Sequence, residues 1–540
     1  MQSKTNSIIL FELFVLFSSF VFITGANLFI PSPLSELFES QPKLQRIFVS
    51  LLSLSAVISA LAMHLRGRLK DSFLLAIVKK ANLSSLAWTA IIFSVTASVF
   101  FYGSYIRYQV FQSGFDFAIF AQAIWNTWHG NFLYSSIKGG ICLLGDHVSP
   151  FLALLAPLYG IWNDPVVLLL AQAVVATSAV FPLFLIGREV LKSEKLALIF
   201  VIAFALYLPL RNAVRFDFHP EVMGDALMLW AFYFMLKDRL TISSVFLVAT
   251  LATKEIACAP VAMFGLYCWW FRKKAAFGIV WFLIAVAYFA LCIFVVAPYF
   301  FGQKYFYLAN YTSWQTYGFS AFSRYIFQIS TLTYLKKIFL PLGLFSFLSL
   351  PAFLLTLPIL VQNLTTPNVL VRSIYFQYTS LLTSAVFISA MYGFSDFTNW
   401  LNNKKSRFRQ YPKLFSVYWI IGWSILLSGK ADYQVIRQYQ LKNSPHFNYV
   451  RKYLKMFQSS ASVRTHEFFA PHLAARKELY IYENANPREG GSAKARNAEY
   501  VILDQIFLNQ SKTKDIDSLR EKGYMIQHAY DGFYVLKKRI

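Results

Sequence analysis

Long apolar runs alternate with short polar loops along most of this chain. Runs at 7–30, 46–64, 84–105, 165–187 and 276–298 reach or approach the length of about 20 residues that a helix needs to cross a bilayer. Shorter runs follow at 195–210, 222–236, 240–253, 255–271, 376–393 and 413–429. The run 240–253 is short for a full crossing, so it is expected in a thinned bilayer or a hairpin buried among neighbours. Pro341, Pro351 and Pro358 interrupt 332–363, which predicts broken helix folded as two short spans. The pattern as a whole predicts an α-helical polytopic membrane protein of about 11–13 spans.

From about residue 430 the spanning pattern stops. Ser444-Pro445 marks a helix start, with Pro at the first helical position, and Phe447, Val450, Leu454 and Phe457 form one helical face. Strand-like runs at 479–482, 500–503 and 533–536 then predict a small soluble α/β domain. Three regions result: an N-terminal two-span extension with a basic loop (1–83), a transmembrane domain (84–429), and the α/β domain (430–540).

Composition agrees with membrane residence. The chain is 57% hydrophobic and 14% charged, with a mean hydropathy of +0.49, far too apolar for a soluble protein of this size. The formal charge of +24 would suggest nucleic acid in a soluble chain. Here the basic residues sit in short loops between spans: Arg66, Arg68, Lys70, Lys79 and Lys80; Arg188, Lys192 and Lys195; Arg272, Lys273 and Lys274; Lys404, Lys405, Arg407, Arg409 and Lys413. The positive-inside rule makes these cytoplasmic loops and removes nucleic acid as a partner. The first apolar run is longer than a signal-peptide core and reads as a retained span with a cytoplasmic N-terminus in a bacterial inner membrane. Loop 106–148 and the α/β domain then fall on the extracytoplasmic side, and 148–162 reads as a partly immersed surface helix. Cys142, Cys258, Cys268 and Cys292 have no metal or redox spacing.

The 106–148 loop is more polar and aromatic than membrane residence requires. It carries FDFAIFAQAIWNTWHGNFLYSS (115–136) and GDHVSP (145–150). Asp116 stands at a predicted helix N-terminus, where the dipole favours its ionised form; it either accepts a proton from an attacking hydroxyl or only caps the helix. Asp146 and His147 either ligate a divalent metal, orient a substrate or cap the following helix, and His129 is a turn residue or a ligand. Arg215, Asp217, His219 and Glu221 crowd RFDFHPE (215–221), as a salt-bridge knot or as part of a site. Lys254 and Glu255 lie at the tip of a short apolar hairpin, where charges are costly; they satisfy one another, or Lys254 neutralises a phosphate. His446, His466, His472 and His528 are scattered and read as surface or packing residues. The ionisable groups gather at the outer ends of spans, whereas transporters place their sites near the midplane.

FDFAIFAQAIWNTWHG, LGDHVSPFLALLAPLYGIW, RFDFHPE and TKE, in this order, resemble the domain-of-unknown-function 2079 family of predicted membrane proteins. SVRTHEFFAPHLAARKELYIYEN (462–484) and AEYVILDQ (498–505) are similar to that family's tail, so the resemblance covers most of 100–540. The family has no established activity. The layout also resembles the C-type glycosyltransferase superfamily, which uses polyprenyl-phosphate-linked sugars. That resemblance implies a transferase moving a sugar to a glycan, lipid or protein acceptor on the extracytoplasmic face. Asp116 is then the base, Arg215 or Lys254 holds the donor phosphate, and Asp146, His147, His219, Glu221 and Glu255 bind or orient substrate. An optional Mg or Mn ion would take Asp116, Asp146 and His147. Two departures stand out: two spans precede the one leading into the loop, and Asp116 has no adjacent acidic partner. The competing readings are a transporter or flippase for a lipid-linked or amphipathic solute, and a non-catalytic membrane scaffold.

Overall fold

The computed structural model describes residues 83–305, 307, 326–366, 368–403, 410–457, 460–482, 493–507 and 514–539. The runs 7–30 and 46–64, the basic loop after them, and most of the 404–413 cluster lie outside the described residues.

Helix α1 (Ser85–Gln109) starts where Ser84 Oγ accepts the Ala87 N–H at 3.2 Å, a side-chain cap for an otherwise orphan donor. The loop after it folds into α2 (Phe115–Trp128) and a two-residue hairpin, β1 (Tyr134–Ser135) with β2 (Ile141–Cys142). The expected surface helix becomes a 3-10 turn (Pro150–Leu155) and a short α-helix (Pro157–Ile161), leaving Leu154 and Ile161 strongly exposed. Then come α3 (Val166–Leu191), α4 (Glu194–Ala205) and α5 (Leu208–Phe216), with α5 bent 42° from α4. Pro209, in the first turn of α5, cannot donate back across the break. Helices α6 (Pro220–Leu236), α7 (Leu240–Thr253), α8 (Cys258–Phe271) and α9 (Ala275–Phe301) complete the central run.

Among the described residues, α1, α3 and α9 are each long and apolar enough to cross a membrane, and the bent α4–α5 pair together makes a fourth. The other apolar helices are shorter. On α9, Val280, Leu283 and Phe294 are exposed among the described residues, an apolar face suited to lipid. Helices α8 and α9 approach closely because Gly265 carries no side chain: a Cβ there would lie 2.6 Å from the Gly278 carbonyl oxygen. The proline-rich stretch is broken as expected, into α10 (Ile329–Phe339), a series of single turns, and α11 (Leu357–Thr365).

Helix α12 (Thr383–Asn402) packs into the same core, and α13 (Gln410–Lys442) runs unbroken through position 430, where the composition changes. Ser444 caps α14 (Pro445–Met456) by accepting the Phe447 N–H at 3.2 Å. A five-stranded sheet follows, in the order β4 (Leu479–Ile481), β3 (Val463–Thr465), β5 (Tyr500–Asp504), β7 (Phe533–Lys538), β6 (Tyr524–Tyr530). Strand β3 runs parallel to β4 and β5, while β7 is antiparallel to β5 and β6.

This α/β unit sits on the loop that begins after α1. Phe111, in the left-handed region at φ 54°, inserts among Phe447, Phe469, His472 and Phe507. His472 stacks on Tyr108 at 3.8 Å, and its Nε2 donates to the Tyr108 carbonyl at 2.9 Å. Burial pushes the His472 pKa down to about 3, so the ring docks neutral. From α2, Gln122 Nε2 donates to the Arg476 and Lys477 carbonyls, and Ser136 Oγ bonds both backbone groups of Leu479. The loop is therefore part of one core with the sheet. Phe111→Ala is expected to cost about 3–5 kcal/mol of packing. Limited proteolysis in detergent should then release the α/β unit earlier than in the wild type.

Candidate functional site

Asp116 occupies the first turn of α2, after Gly114 opens the helix. Its oxygens face the connection between α5 and α6, where Oδ2 meets His219 Nε2 at 3.3 Å. Protein surrounds Asp116, yet 44% of its side chain stays accessible, whereas His219 is buried. Asp116 is thus partly open rather than sealed in the core. Burial raises the Asp116 pKa, but the His219 bond and the nearby charges of His219, Lys254 and His147 outweigh it and hold the carboxyl below its ordinary value. Burial lowers the His219 pKa, and the Asp116 bond and the Glu221 charge outweigh that in turn, raising it. Both shifts favour the charged forms of the pair.

The remaining sequence candidates fall into connected clusters. Lys254 Nζ donates to Glu221 Oε1 at 2.9 Å, both side chains being buried. Glu255 takes three donors: His147 Nδ1 at 2.8 Å, the Val148 N–H at 2.9 Å and the Tyr305 hydroxyl at 2.6 Å. Asp146 accepts from Lys138 Nζ at 3.2 Å and from the Tyr307 hydroxyl at 3.1 Å, while the Tyr307 ring stacks on His147. Lys254 and Glu255 do not pair as an isolated couple. They tie α6 to α7 and the loop to α8, respectively. His129 stacks on Trp125 and bonds the Trp125 carbonyl at the exposed end of α2, as a turn residue does.

The three candidate metal ligands go to separate partners: Asp116 to His219, Asp146 to Lys138 and Tyr307, His147 to Glu255. No group of three His, Cys, Asp or Glu side chains among the described residues is arranged to hold a metal ion.

Arg215 lies behind this cluster, on the α5 face toward α1 and α13. It donates to the Gln438 amide oxygen, and Gln438 in turn donates to Gln112. Arg107 and Arg211 are near enough to repel it, and Arg107 Nε stands 3.7 Å from Asp217 Oδ1. Asp217 also accepts the Gly114 N–H at 3.2 Å, so one carboxylate links the guanidinium cluster to the start of α2.

Gln172 escaped the sequence reading and holds the whole connection in place. Fully buried on α3, its amide donates to the Val214 and Asp217 carbonyls at 2.9 and 2.8 Å and accepts the His219 N–H at 2.6 Å. These are backbone groups freed where α5 ends and α6 has not begun. A lone amide within the apolar run 165–187 was the available signal, since polar groups in a membrane are costly. Arg107, Lys138, Tyr305 and Tyr307 were also missed; all but Lys138, which meets Asp146 within one loop, lie far in sequence from the partner that gives them meaning.

The fold and site define a class: a helical membrane protein with an ionised acid–histidine pair at one end of its bundle, overlain by a small α/β unit. The chain belongs to the family described as predicted membrane protein DUF2079, whose sequence profile matches residues 107–535 and thus every site residue above. Among solved structures, ArnT from Cupriavidus metallidurans bound to undecaprenyl phosphate is similar in fold, with a TM-score of 0.52 at 11% identity, covering 84% of this chain and 98% of that one. ArnT from the same organism in the apo state aligns over the same shares with a TM-score of 0.49. The fold is thus that of ArnT, in line with the C-type glycosyltransferase layout that the sequence resembles. No curated protein sequence matches the chain.

Gln172→Leu is expected to leave the buried Asp217 carbonyl and His219 N–H unpaired, at about 1–3 kcal/mol each before relaxation, while the Val214 carbonyl keeps the Ser104 hydroxyl. Thermal unfolding in detergent should show a clear loss of stability, larger than that of a Gln→Leu change on a lipid-facing position.

Proposed function

We propose that this protein is a membrane glycosyltransferase that moves a sugar from a polyprenyl-phosphate donor to an acceptor hydroxyl on the extracytoplasmic face. The carrying observation is the accessible, ionised Asp116 held by buried His219 at one end of a bundle that shares the fold of ArnT, a protein solved with undecaprenyl phosphate bound. Such a site suits a lipid-linked donor arriving from the bilayer and a polar acceptor arriving from water.

In this reading the acceptor oxygen attacks the anomeric carbon, the bond from that carbon to the phosphate oxygen breaks, and the acceptor proton passes to Asp116. The depressed Asp116 pKa makes it a weak base, so it takes a proton that leaves late, once the acceptor oxygen has begun to bond. The polyprenyl phosphate departs with its negative charge. Arg215, bonded to Gln438 with Arg107 and Arg211 close by, and Lys254, paired with Glu221, are the candidate cations for that charge. His147, Glu255 and Asp146 brace the loop that carries Asp116 and leave the acceptor to be oriented by what remains accessible there.

Asp116→Asn should lower sugar transfer from a polyprenyl-phosphate donor by about 10²–10⁴-fold with protein amount unchanged. Unaltered glycan and glycolipid products from a stably expressed Asp116→Asn protein would sink the reading.

The pair also sets a pH dependence. A depressed carboxyl contributes fully above the ordinary aspartate value and is lost as pH falls through its own lower one; a raised imidazole contributes below its ordinary value and is lost as pH rises through its higher one. Transfer should therefore show an acid limb below the ordinary aspartate range and an alkaline limb above the ordinary histidine range. His219→Ala should move that acid limb upward, and an acid limb that stays put would show that His219 does not tune Asp116.

A further inference from the structure

A cleft of about 300 Å³ opens in the α/β unit, lined by Tyr453, Met456 and Phe457 from the end of α14, Tyr500 from β5 and Gln527 from β6. Its volume is at the lower end for small-molecule sites, and its lining is shared between polar and apolar surface. We propose that it holds a sugar ring of the acceptor glycan, a reading that rests on the transferase function above.

The rings are fixed before any ligand arrives. Phe457 meets Tyr500 edge to face at 4.9 Å and 89°, and the Arg476 guanidinium lies 5.5 Å over Phe457. Tyr453 stacks on His528 at 4.8 Å, and His528 Nε2 is bonded to the Tyr449 hydroxyl at 2.6 Å. Ordered rings of this kind lose little freedom on binding. A pyranose has an apolar face of C–H groups and a rim of hydroxyls. A lining of aromatic rings that also carries phenol and amide groups answers both.

Gln527 gives a second, independent observation. The β6–β7 register slips between Ile526 and His528, leaving Gln527 as the extra residue of a bulge. A bulge re-aims a side chain at the cost of ladder pairing, and bulges gather beside functional sites. Here the displaced residue brings an amide to a cleft otherwise walled by three aromatic rings and a methionine. The unit that carries the cleft is tied to α2, the helix of Asp116, through Gln122. A glycan seated there would be presented by a body fixed relative to the base.

The test uses the full chain in lipid nanodiscs with maltotriose, chitotriose and mannotriose as probes, read by saturation-transfer NMR. At least one trisaccharide should bind the wild type and the Asp116→Asn protein equally. Gln527→Ala, at an exposed bulge position, and Tyr500→Ala should each weaken binding about tenfold or more. Failure of all three sugars to bind, or binding unchanged in both cleft variants, would overturn the proposal. Normal sugar binding with lost adhesion to anionic liposomes in the cleft variants would overturn it too, marking a membrane contact instead. Sugar binding that depends on the cleft, beside a wild-type protein that transfers no sugar from a polyprenyl-phosphate donor, would retain a sugar site and remove the transferase reading alone.

Discussion

Inside an apolar bundle a free backbone group has no water to turn to, and this structure is arranged around one place where the backbone is broken. Between α5 and α6 the chain stops being helical for the residues around Asp217 and His219. Gln172 takes up the freed carbonyls and amide, and that fixes the direction in which His219 points. His219 then meets Asp116, Asp217 reaches the start of α2, and Arg107 closes behind. A regular helix through this segment would have needed no amide and offered no site.

The same demand shapes the other polar clusters. Glu255, buried at the tip of a short apolar hairpin, is held by an imidazole, a backbone N–H and a phenol. Lys254 beside it is balanced by Glu221. Removing either partner from such a pair leaves a buried charge alone, which costs more than the pair contributes. These residues are bound into the architecture as firmly as they are available to chemistry. Asp116 differs from them in keeping much of its side chain accessible.

The α/β unit contributes rigidity as well as surface. Through Phe111, His472, Gln122 and Ser136 it converts a loop between spans into part of a continuous core. A surface helix held only at its ends would let Asp116 wander; one clamped from above keeps it at hydrogen-bond distance from His219.

The sequence by itself determined the class and the presence of helix in the apolar runs, though not every boundary, since α12 and α13 run well past the ends of theirs. Those features are local: run length, proline breaks, a capping Ser444 and a loop too polar for its setting all act within a few residues. It also pointed to Asp116, His219, Glu221, Lys254 and Glu255, because charges at the ends of spans are costly wherever the chain goes next. Only the tertiary structure decided who meets whom. Glu255 could as well have paired with its neighbour Lys254, yet it bonds His147, 108 positions earlier. Gln172, Arg107 and Tyr305 acquired meaning the same way, and no periodicity marks them. A hydrogen-bond partner brought from a distant helix is set by how the helices pack, and packing depends on side chains across the whole bundle, beyond any one stretch of sequence.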